Sequence, residues 1–116
     1  MVLGDDPVIV SATCLRWHRV VDLAALVWPS LRMRAGWPAV QGAVGLAIAV
    51  EPLRRATWSL SVWQSEEDLR RFLGSPAHVG AMKTHRRRLS TSASACWRSE
   101  HFVVGDAWRE ARRRLR

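Results

Sequence analysis

The sequence predicts an α+β fold of the ferredoxin-like, split βαβ type, in the order β-α-β-β-α-β with one further C-terminal helix. Four segments have strand-like composition or alternation, and the segments between them repeat apolar residues at helical spacing. Short connections with Gly, Pro or helix-capping residues separate these segments. With 116 residues, 48% of them hydrophobic, we expect a single ferredoxin-like domain spanning residues 1–116.

The first half of the chain predicts two strands joined by a helix. Residues 8–17 are rich in β-branched and small side chains, which favours a strand, and residues 19–35 repeat apolar side chains at helical spacing. Pro29 must bend this helix or begin its second part, because proline removes one internal hydrogen bond. Residues 43–51 alternate large and small apolar side chains, which predicts the second strand.

The third strand, predicted at 56–63, has two different faces. Alternation places Trp58, Leu60 and Val62 on one face and Ser59, Ser61 and Trp63 on the other. The alternation does not say which face meets the helices. Trp63 therefore lies either over a pocket or in a subunit interface.

A broken helix is predicted over residues 65–89. Ser65 is an N-cap candidate, and the three acidic residues that follow it suit the positive end of the helix dipole. Gly74 ends the first part, and the pair at 75–76, Ser followed by Pro, favours a new helix start. The second part places four residues on one face, at spacings of four, three and four: His78, Met82, His85 and Leu89.

The chain ends with a fourth strand, predicted at 91–99, and a helix from about Asp106 with Trp108, Ala111 and Leu115 on one face. Right-handed crossovers place the helices that connect successive strands on one face of the sheet. The opposite face holds few charges, so we expect it to be bare and apolar. This predicts a homodimer formed by packing one sheet against another.

The formal net charge of +8 suggests a polyanion as a partner, and 17 of the 18 basic residues are Arg. The two basic clusters, at 85–88 and 109–116, follow predicted helices, where cations complement the helix dipole. The sequence shows no zinc-ligand spacing, no helix-turn-helix phrase and no aromatic-rich strand for base stacking. We therefore do not expect nucleic acid as a partner.

The sequence also predicts where in the cell the protein is located. The longest apolar run, residues 42–50, is about half of the roughly 20 residues that a membrane-spanning helix needs. The N-terminus lacks the basic and apolar regions of a secretory signal, so we expect a cytoplasmic protein without membrane contact. Cys14 and Cys96 show no CxxC spacing, and we expect both to be reduced and buried.

Four phrases carry a resemblance to a known family: Trp58-Ser-Leu-Ser-Val-Trp63, Glu66-Glu67-x-Leu69-x-x-Phe72, His78-x-x-x-Met82 and Trp108-x-x-Ala111. Over roughly residues 43–115 the chain resembles the dimeric α+β barrel superfamily that includes the antibiotic-biosynthesis monooxygenases, and within it a branch near spheroidene monooxygenase. The resemblance implies an oxygenase-like enzyme, or a related cyclase, of bacterial secondary metabolism. Its flat, hydrophobic or aromatic substrate would bind between helices and sheet.

Relatives of this kind either oxygenate their substrate without a cofactor or hold heme through a histidine on the helix after the third strand. The chain contains no Asn and no Tyr, so the usual Asn-based arrangement is absent. His78 is the candidate catalytic base, because imidazole can accept a phenolic proton near neutral pH. It is also the candidate heme ligand, one turn before the relatives' ligand position. No cofactor is required.

Five residues are candidates for binding the substrate: Trp63, Phe72, Met82, Trp97 and Arg16. The aromatic side chains suit a flat ligand, and an arginine can pair with a carboxylate or phenolate. No metal is expected, because His78 and His85 are seven positions apart, which corresponds to about 10 Å along a helix.

Three alternatives remain open at this point. His78 can be a structural residue that satisfies a backbone carbonyl at the helix break. The protein can be a non-catalytic, dimeric ligand-binding or accessory protein with the same fold. A nucleic-acid-binding module driven by arginine charge is the third alternative, against which the charge distribution argues.

Overall fold

The computed structural model of the chain describes residues 7–24 and 27–115. A four-stranded antiparallel sheet in the order β2-β3-β1-β4 forms the centre of the fold. Its strands are β1 (Val8–Trp17), β2 (Ala43–Glu51), β3 (Ala56–Trp63) and β4 (Leu89–Ser99). The helices are α1 (Val20–Ala24), α2 (Val27–Gly36), α3 (Glu66–Leu73), α4 (Pro76–His85) and α5 (Val104–Leu115).

This order confirms the predicted α+β, ferredoxin-like fold class. The first three strands have the predicted bounds, while β4 begins two residues earlier than predicted, at Leu89. The predicted first helix is divided into α1 and α2, and residues 25–26 of that prediction lie outside the described residues. Pro29 falls in the first turn of α2, where a missing N–H removes no internal hydrogen bond.

The helix break forms through the predicted caps. The Ser65 hydroxyl accepts a hydrogen bond from the Asp68 N–H at 3.2 Å, which begins α3. The Gly74 N–H donates to the Arg70 carbonyl at 3.1 Å at the other end. The Ser75 hydroxyl then accepts from the His78 N–H at 3.3 Å and begins α4.

One face of the sheet, here called the α5 face, is dry and closely packed. It consists of alternate residues of β1 and β3 that are almost entirely buried: Val8, Val10, Ala12, Cys14, Ala56, Trp58, Leu60 and Val62. Helix α5 packs against them through Ala107 and Ala111, which are also buried. The predicted bare sheet face is therefore wrong, because the C-terminal helix covers it with a stripe of small residues that allows close approach.

The opposite face, here called the α3 face, is built differently. At one end Trp63 packs with Leu69 of α3 and with Trp37 of the turn after α2. Alternation along β1 and β3 then places a row of half-buried hydroxyl residues on this face: Ser11, Thr13, Thr57, Ser59 and Ser61. The structure thus decides the open question about Trp63, which lies on the α3 face.

Gly42 brings the start of β2 against the start of α3. Its φ of +78° is in the left-handed region, and a Cβ there would lie 2.1 Å from the Asp68 carboxyl carbon. The Gly42 carbonyl also accepts a hydrogen bond from the Gln64 N–H at 2.9 Å. Only glycine satisfies both the backbone conformation and the close approach.

The two cysteines are free and lie on different faces of the sheet. Cys14 is buried on the α5 face, as predicted. Cys96 is exposed, which corrects the prediction that it is buried, because the α3 face is uncovered along β4. Across the described ranges, no helix is long and apolar enough to cross a membrane.

Candidate functional site

An aromatic cluster on the α3 face forms the centre of the candidate site. The ring centroids of Trp63 and Phe72 lie 5.1 Å apart, and Trp37 contacts them edge-on at 5.2 and 5.4 Å respectively. These rings come from β3, α3 and the turn after α2. Separations of this size are typical of favourable aromatic pairs, so the three rings form one packed cluster.

His78 extends this cluster from the first turn of α4. Its ring centroid lies 5.2 Å from that of Phe72, and its Nδ1 lies 3.1 Å from the Leu73 carbonyl oxygen. Since a carbonyl can only accept, Nδ1 carries the proton in this contact. The neutral ring therefore has its lone pair on Nε2, which is the nitrogen that can accept a proton from a ligand.

Two indole groups in the cluster differ in their hydrogen bonding. The Trp63 N–H donates to the Ser61 hydroxyl at 2.9 Å, and its side chain is fully buried. Trp37 is only 8% exposed, and its buried N–H has no partner among the described residues. A buried, unsatisfied donor costs free energy, so the Trp37 N–H is a donor that a ligand oxygen can satisfy.

Helix α4 reaches the α3 face through its two histidines, since His78 packs on Phe72 and His85 packs on Trp17. Among its described residues none is buried. The residues of the hydroxyl row are half-buried. The α3 face therefore offers a polar floor bordered by aromatic rings, and this arrangement suits a flat ligand that carries oxygen substituents.

A second aromatic pair lies at the opposite end of this floor. The Trp17 N–H donates to the Thr57 hydroxyl at 3.2 Å, and the Trp17 and His85 rings meet edge-on at 5.8 Å. The Nδ1 atom of His85 is buried without a partner. Burial, and secondly the positive charge of Arg88, lower the pKa of His85 below its ordinary value of 6.5. His85 is not among the predicted site residues and is an addition to this floor.

The structure brings together some of the predicted site residues and separates others. Trp63, Phe72 and His78 form one cluster, and Met82 lies one turn beyond His78 on α4 with a 40% exposed side chain. Trp97 and Arg16 are not part of this site, because their strand positions place them on the α5 face. The prediction of one pocket with all six residues is corrected accordingly.

A cavity of about 440 Å³ opens beside the cluster, at the end of the sheet where β1 begins and β3 ends. It is lined by Pro7, Val8, Ile9, Gln64, Ser65, Glu66 and Arg98. Ile9 also packs against the Trp63 cluster, so it forms a shared wall. The predicted pocket was placed along His78 and Met82, whereas this cavity lies against the first turn of α3.

The fit of heme can be tested on these positions. Heme ligation through His78 needs a wide cavity on the Nε2 side of the ring. His78 does not line the cavity described above, and its ring packs on Phe72. Heme at His78 therefore stays a prediction. Within residues 7–24 and 27–115, no three metal-ligating side chains are close enough to hold one ion.

Sequence reasoning did not single out Trp37, and it did not separate His85 from His78. Trp37 lies in a short turn without periodicity, so no local pattern indicated that it packs on Trp63. The helical spacing of His78 and His85 did indicate a shared helix face. The contact between His85 and Trp17 joins residues 68 positions apart and depends on the tertiary structure.

The fold and the site together define a class: a split βαβ, ferredoxin-like domain with an aromatic cluster between sheet and helices. The chain is similar to SnoaB, a cofactor-independent oxygenase from Streptomyces nogalater. The two share 18% identity at a TM-score of 0.61, over 85% of this chain and 97% of that chain.

Two further solved structures are similar. A dimeric ferredoxin-like protein of unknown function from Thermobifida fusca shares 12% identity at a TM-score of 0.64, over 84% of this chain and 95% of that chain. A protein of unknown function from Nitrosomonas europaea shares 14% identity at a TM-score of 0.66, over 87% of this chain and 95% of that chain.

No protein-family model and no curated protein match the chain. The structural likeness shows the ferredoxin-like fold and thereby confirms the predicted α+β fold class. Sequence identities below one fifth do not show a shared reaction. The predicted branch near spheroidene monooxygenase stays a prediction.

Proposed function

We propose that the protein is an oxygenase-like enzyme of bacterial secondary metabolism, or a related cyclase, acting on a flat aromatic compound that carries phenolic oxygen. The observation that supports this most directly is the position of His78. Its ring extends the cluster of Phe72, Trp63 and Trp37, and its Nδ1 contact with Leu73 leaves the basic lone pair on Nε2. A base held beside an aromatic wall suits the deprotonation of a phenol.

The proposed reaction needs no electrons from outside the substrate. Nε2 of His78 accepts the phenolic proton, and the resulting electron-rich anion reduces O₂. A CH₂ carbon of the substrate becomes a carbonyl carbon, one oxygen atom enters the product, and the other leaves as water. The substrate supplies all four electrons, so the reaction balances without a cofactor. The similarity in fold to SnoaB, a cofactor-independent oxygenase, supports this choice.

Two other groups have roles in this proposal. The unpartnered Trp37 N–H donates to an oxygen of the bound substrate, and Met82 forms an adaptable part of the pocket wall. Trp63 is fully buried, so it positions the rings of Phe72 and Trp37. Its predicted direct contact with substrate stays a prediction.

The test uses 1,8-dihydroxyanthrone, a flat tricyclic phenol with a CH₂ carbon that oxygen attacks slowly. Wild-type protein should accelerate oxygen consumption and carbonyl formation. His78→Gln should lower the rate by ~10²–10⁴. Glutamine retains an N–H donor for the Leu73 carbonyl but is not a base, so α4 should remain folded. Lys83→Gln, at an exposed position on the same helix, is the control and should retain the activity.

The second candidate function is a non-catalytic ligand-binding protein. The hydrogen bond from His78 to the Leu73 carbonyl favours it, because this bond alone gives His78 a structural role at the helix break. Ligand binding without turnover in the wild-type protein, with equal affinity in His78→Gln, would establish this function and exclude the oxygenase.

We also propose a homodimer in the cytoplasm. The fold shared with a dimeric protein from Thermobifida fusca supports the dimer. Because α5 covers one sheet face, the contact has to involve a different surface or the outer side of α5. Strand β4 is at the edge of the sheet and is exposed over residues 90–94. A mass near the 13.1 kDa of one chain in sedimentation at micromolar concentration would exclude the dimer.

A further inference from the structure

We propose that one end of the molecule binds the surface of an anionic phospholipid bilayer. This end, here called the arginine end, consists of residues 16–22, 51–55 and 85–88. It combines a high density of exposed arginine with exposed aliphatic side chains at the tips of connections. The proposal is independent of the chemistry proposed at His78.

The topology of the sheet brings these three segments together. Strand β1 ends where β3 and β4 begin, because β1 is antiparallel to both neighbours. Two backbone hydrogen bonds tie the segments to each other. The Trp17 N–H donates to the Arg55 carbonyl at 2.8 Å, and the His18 N–H donates to the Arg88 carbonyl at 3.0 Å.

The charge of the arginine end is strongly positive. Its three segments contain seven arginines and only two carboxylates. Asp22 lies 4.0 Å from Arg88 and Glu51 lies 3.9 Å from Arg54, so both carboxylates are already engaged. Arg19, Arg86 and Arg87 are exposed, and the positive charge therefore faces outward.

The opposite end of the sheet, here called the carboxylate end, has no such excess of positive charge. Residues 64–68 and 99–106, which follow β3 and β4, contain five carboxylates and no arginine or lysine. These carboxylates form ion pairs with the flanking residues Arg70, Arg71, Arg98 and Arg109, so their charges are largely balanced. Of the two ends, the arginine end is therefore the one that a negatively charged plane attracts.

The aliphatic side chains of the arginine end distinguish a membrane from other polyanions. Leu53 is fully exposed at the tip of the β2–β3 connection, next to Arg54. Val20 and Val21, directly after Arg19, are more than half exposed. Cations flanking exposed apolar groups match a bilayer surface, where phosphate groups border the acyl chains.

Nucleic acid is a poorer match to the same surface. Single-stranded nucleic acid is bound by stacking of bases on exposed aromatic rings. The Trp17 ring is buried, and it is the only Trp, Phe or Tyr side chain in the three segments. The fully exposed Leu53 side chain is apolar and forms no hydrogen bond or ion pair with a phosphate backbone.

The sequence had predicted no membrane contact from the lack of a spanning segment. That lack does not bear on binding at a bilayer surface, which needs no spanning helix. A surface-bound protein would also meet flat hydrophobic compounds where they accumulate, in the bilayer.

The experiment is sedimentation of the full chain with vesicles of phosphatidylcholine, with and without phosphatidylglycerol. We expect binding only to the anionic vesicles, weakening as salt is raised toward physiological ionic strength. Arg86→Gln combined with Arg87→Gln should lower the partition coefficient on the order of tenfold. Leu53→Ser should lower it about tenfold through lost apolar contact.

Matched controls distinguish position from overall charge. Arg70→Gln combined with Arg71→Gln removes the same charge from α3, and Val103→Ser removes an exposed aliphatic group at the carboxylate end. Both should bind vesicles like the wild-type protein. Equal losses in controls and test variants would show a nonspecific net-charge effect and overturn the proposal.

Two further results would overturn it. Equal binding to vesicles with and without phosphatidylglycerol would mean that arginine does not direct the contact. Binding of a duplex or single-stranded oligonucleotide more tightly than vesicles, with no effect of Leu53→Ser, would assign the arginine end to nucleic acid.

Discussion

The two faces of the sheet are built from the same strands but differ in packing and in chemistry. On the α5 face, alternate residues of β1 and β3 are apolar and almost fully buried beneath Ala107 and Ala111. On the α3 face, five of the intervening residues are half-buried hydroxyls, and aromatic rings contact this face at both ends of the row. One face supplies stability through burial, and the other leaves polar groups in reach of a ligand.

The difference in packing between the two faces indicates where substitutions can be tolerated. A packed interior resists changes of even one methylene group, whereas a half-open surface can adjust to a ligand. Hydroxyl groups on the α3 face cost little free energy while water reaches them. The division explains how a domain this small can contain both a core and a site.

The largest expected effect on stability comes from creating a cavity on the α5 face. Leu60→Ala should lower the free energy of unfolding by about 2–5 kcal/mol, because Leu60 is buried in the centre of the packed layer. Ser59→Ala, the neighbouring residue on the α3 face, should change it by about 0.5 kcal/mol or less. Urea unfolding of both variants measures the contrast. Equal losses would contradict the division of the faces.

Enlarging a side chain should also destabilise the protein more at the packed α5 face than at an exposed position. Ala111→Leu places a larger side chain where α5 meets the sheet and should cost about 1–3 kcal/mol. Ala81→Leu adds the same volume to α4 at an exposed position and should stay within about 0.5 kcal/mol of wild type. Thermal unfolding compares them. A neutral Ala111→Leu would show that α5 is packed loosely.

The two serine caps compare α3 with α4. Ser65→Ala removes the acceptor for the Asp68 N–H and should cost about 1 kcal/mol of global stability. Ser75→Ala removes the equivalent cap of α4, which buries none of its described residues. We expect it to change global stability less and to speed amide hydrogen exchange within α4. Equal global losses would place α4 in the cooperative core.

The smallest expected effect concerns His85. Because its pKa in the folded protein is lowered, the unfolded chain takes up the proton first as the pH falls. The stability associated with neutral His85 is thus fully present above about pH 6.5 and decreases below it. His85→Phe keeps a ring against Trp17 but does not titrate, so its Tm should depend less on pH between 5 and 7. Parallel profiles for variant and wild type would contradict the burial of this ring nitrogen.

Much of the local structure could be predicted because its causes lie within a few residues. The alternation at 56–63 predicted β3 and its two faces, and the serine caps with Gly74 predicted the break between α3 and α4. The spacing of Trp108, Ala111 and Leu115 predicted one apolar face of α5.

The sequence by itself determined the elements, their order and the two faces of each strand, because propensity, periodicity and capping act over short distances. Only the tertiary structure decided that α5 covers the Trp58 face, that Trp37 completes the aromatic cluster, and that Trp97 and Arg16 lie away from His78. It also brought the three arginine-rich segments to one end of the sheet. These features depend on contacts between distant parts of the chain, which local periodicity does not encode.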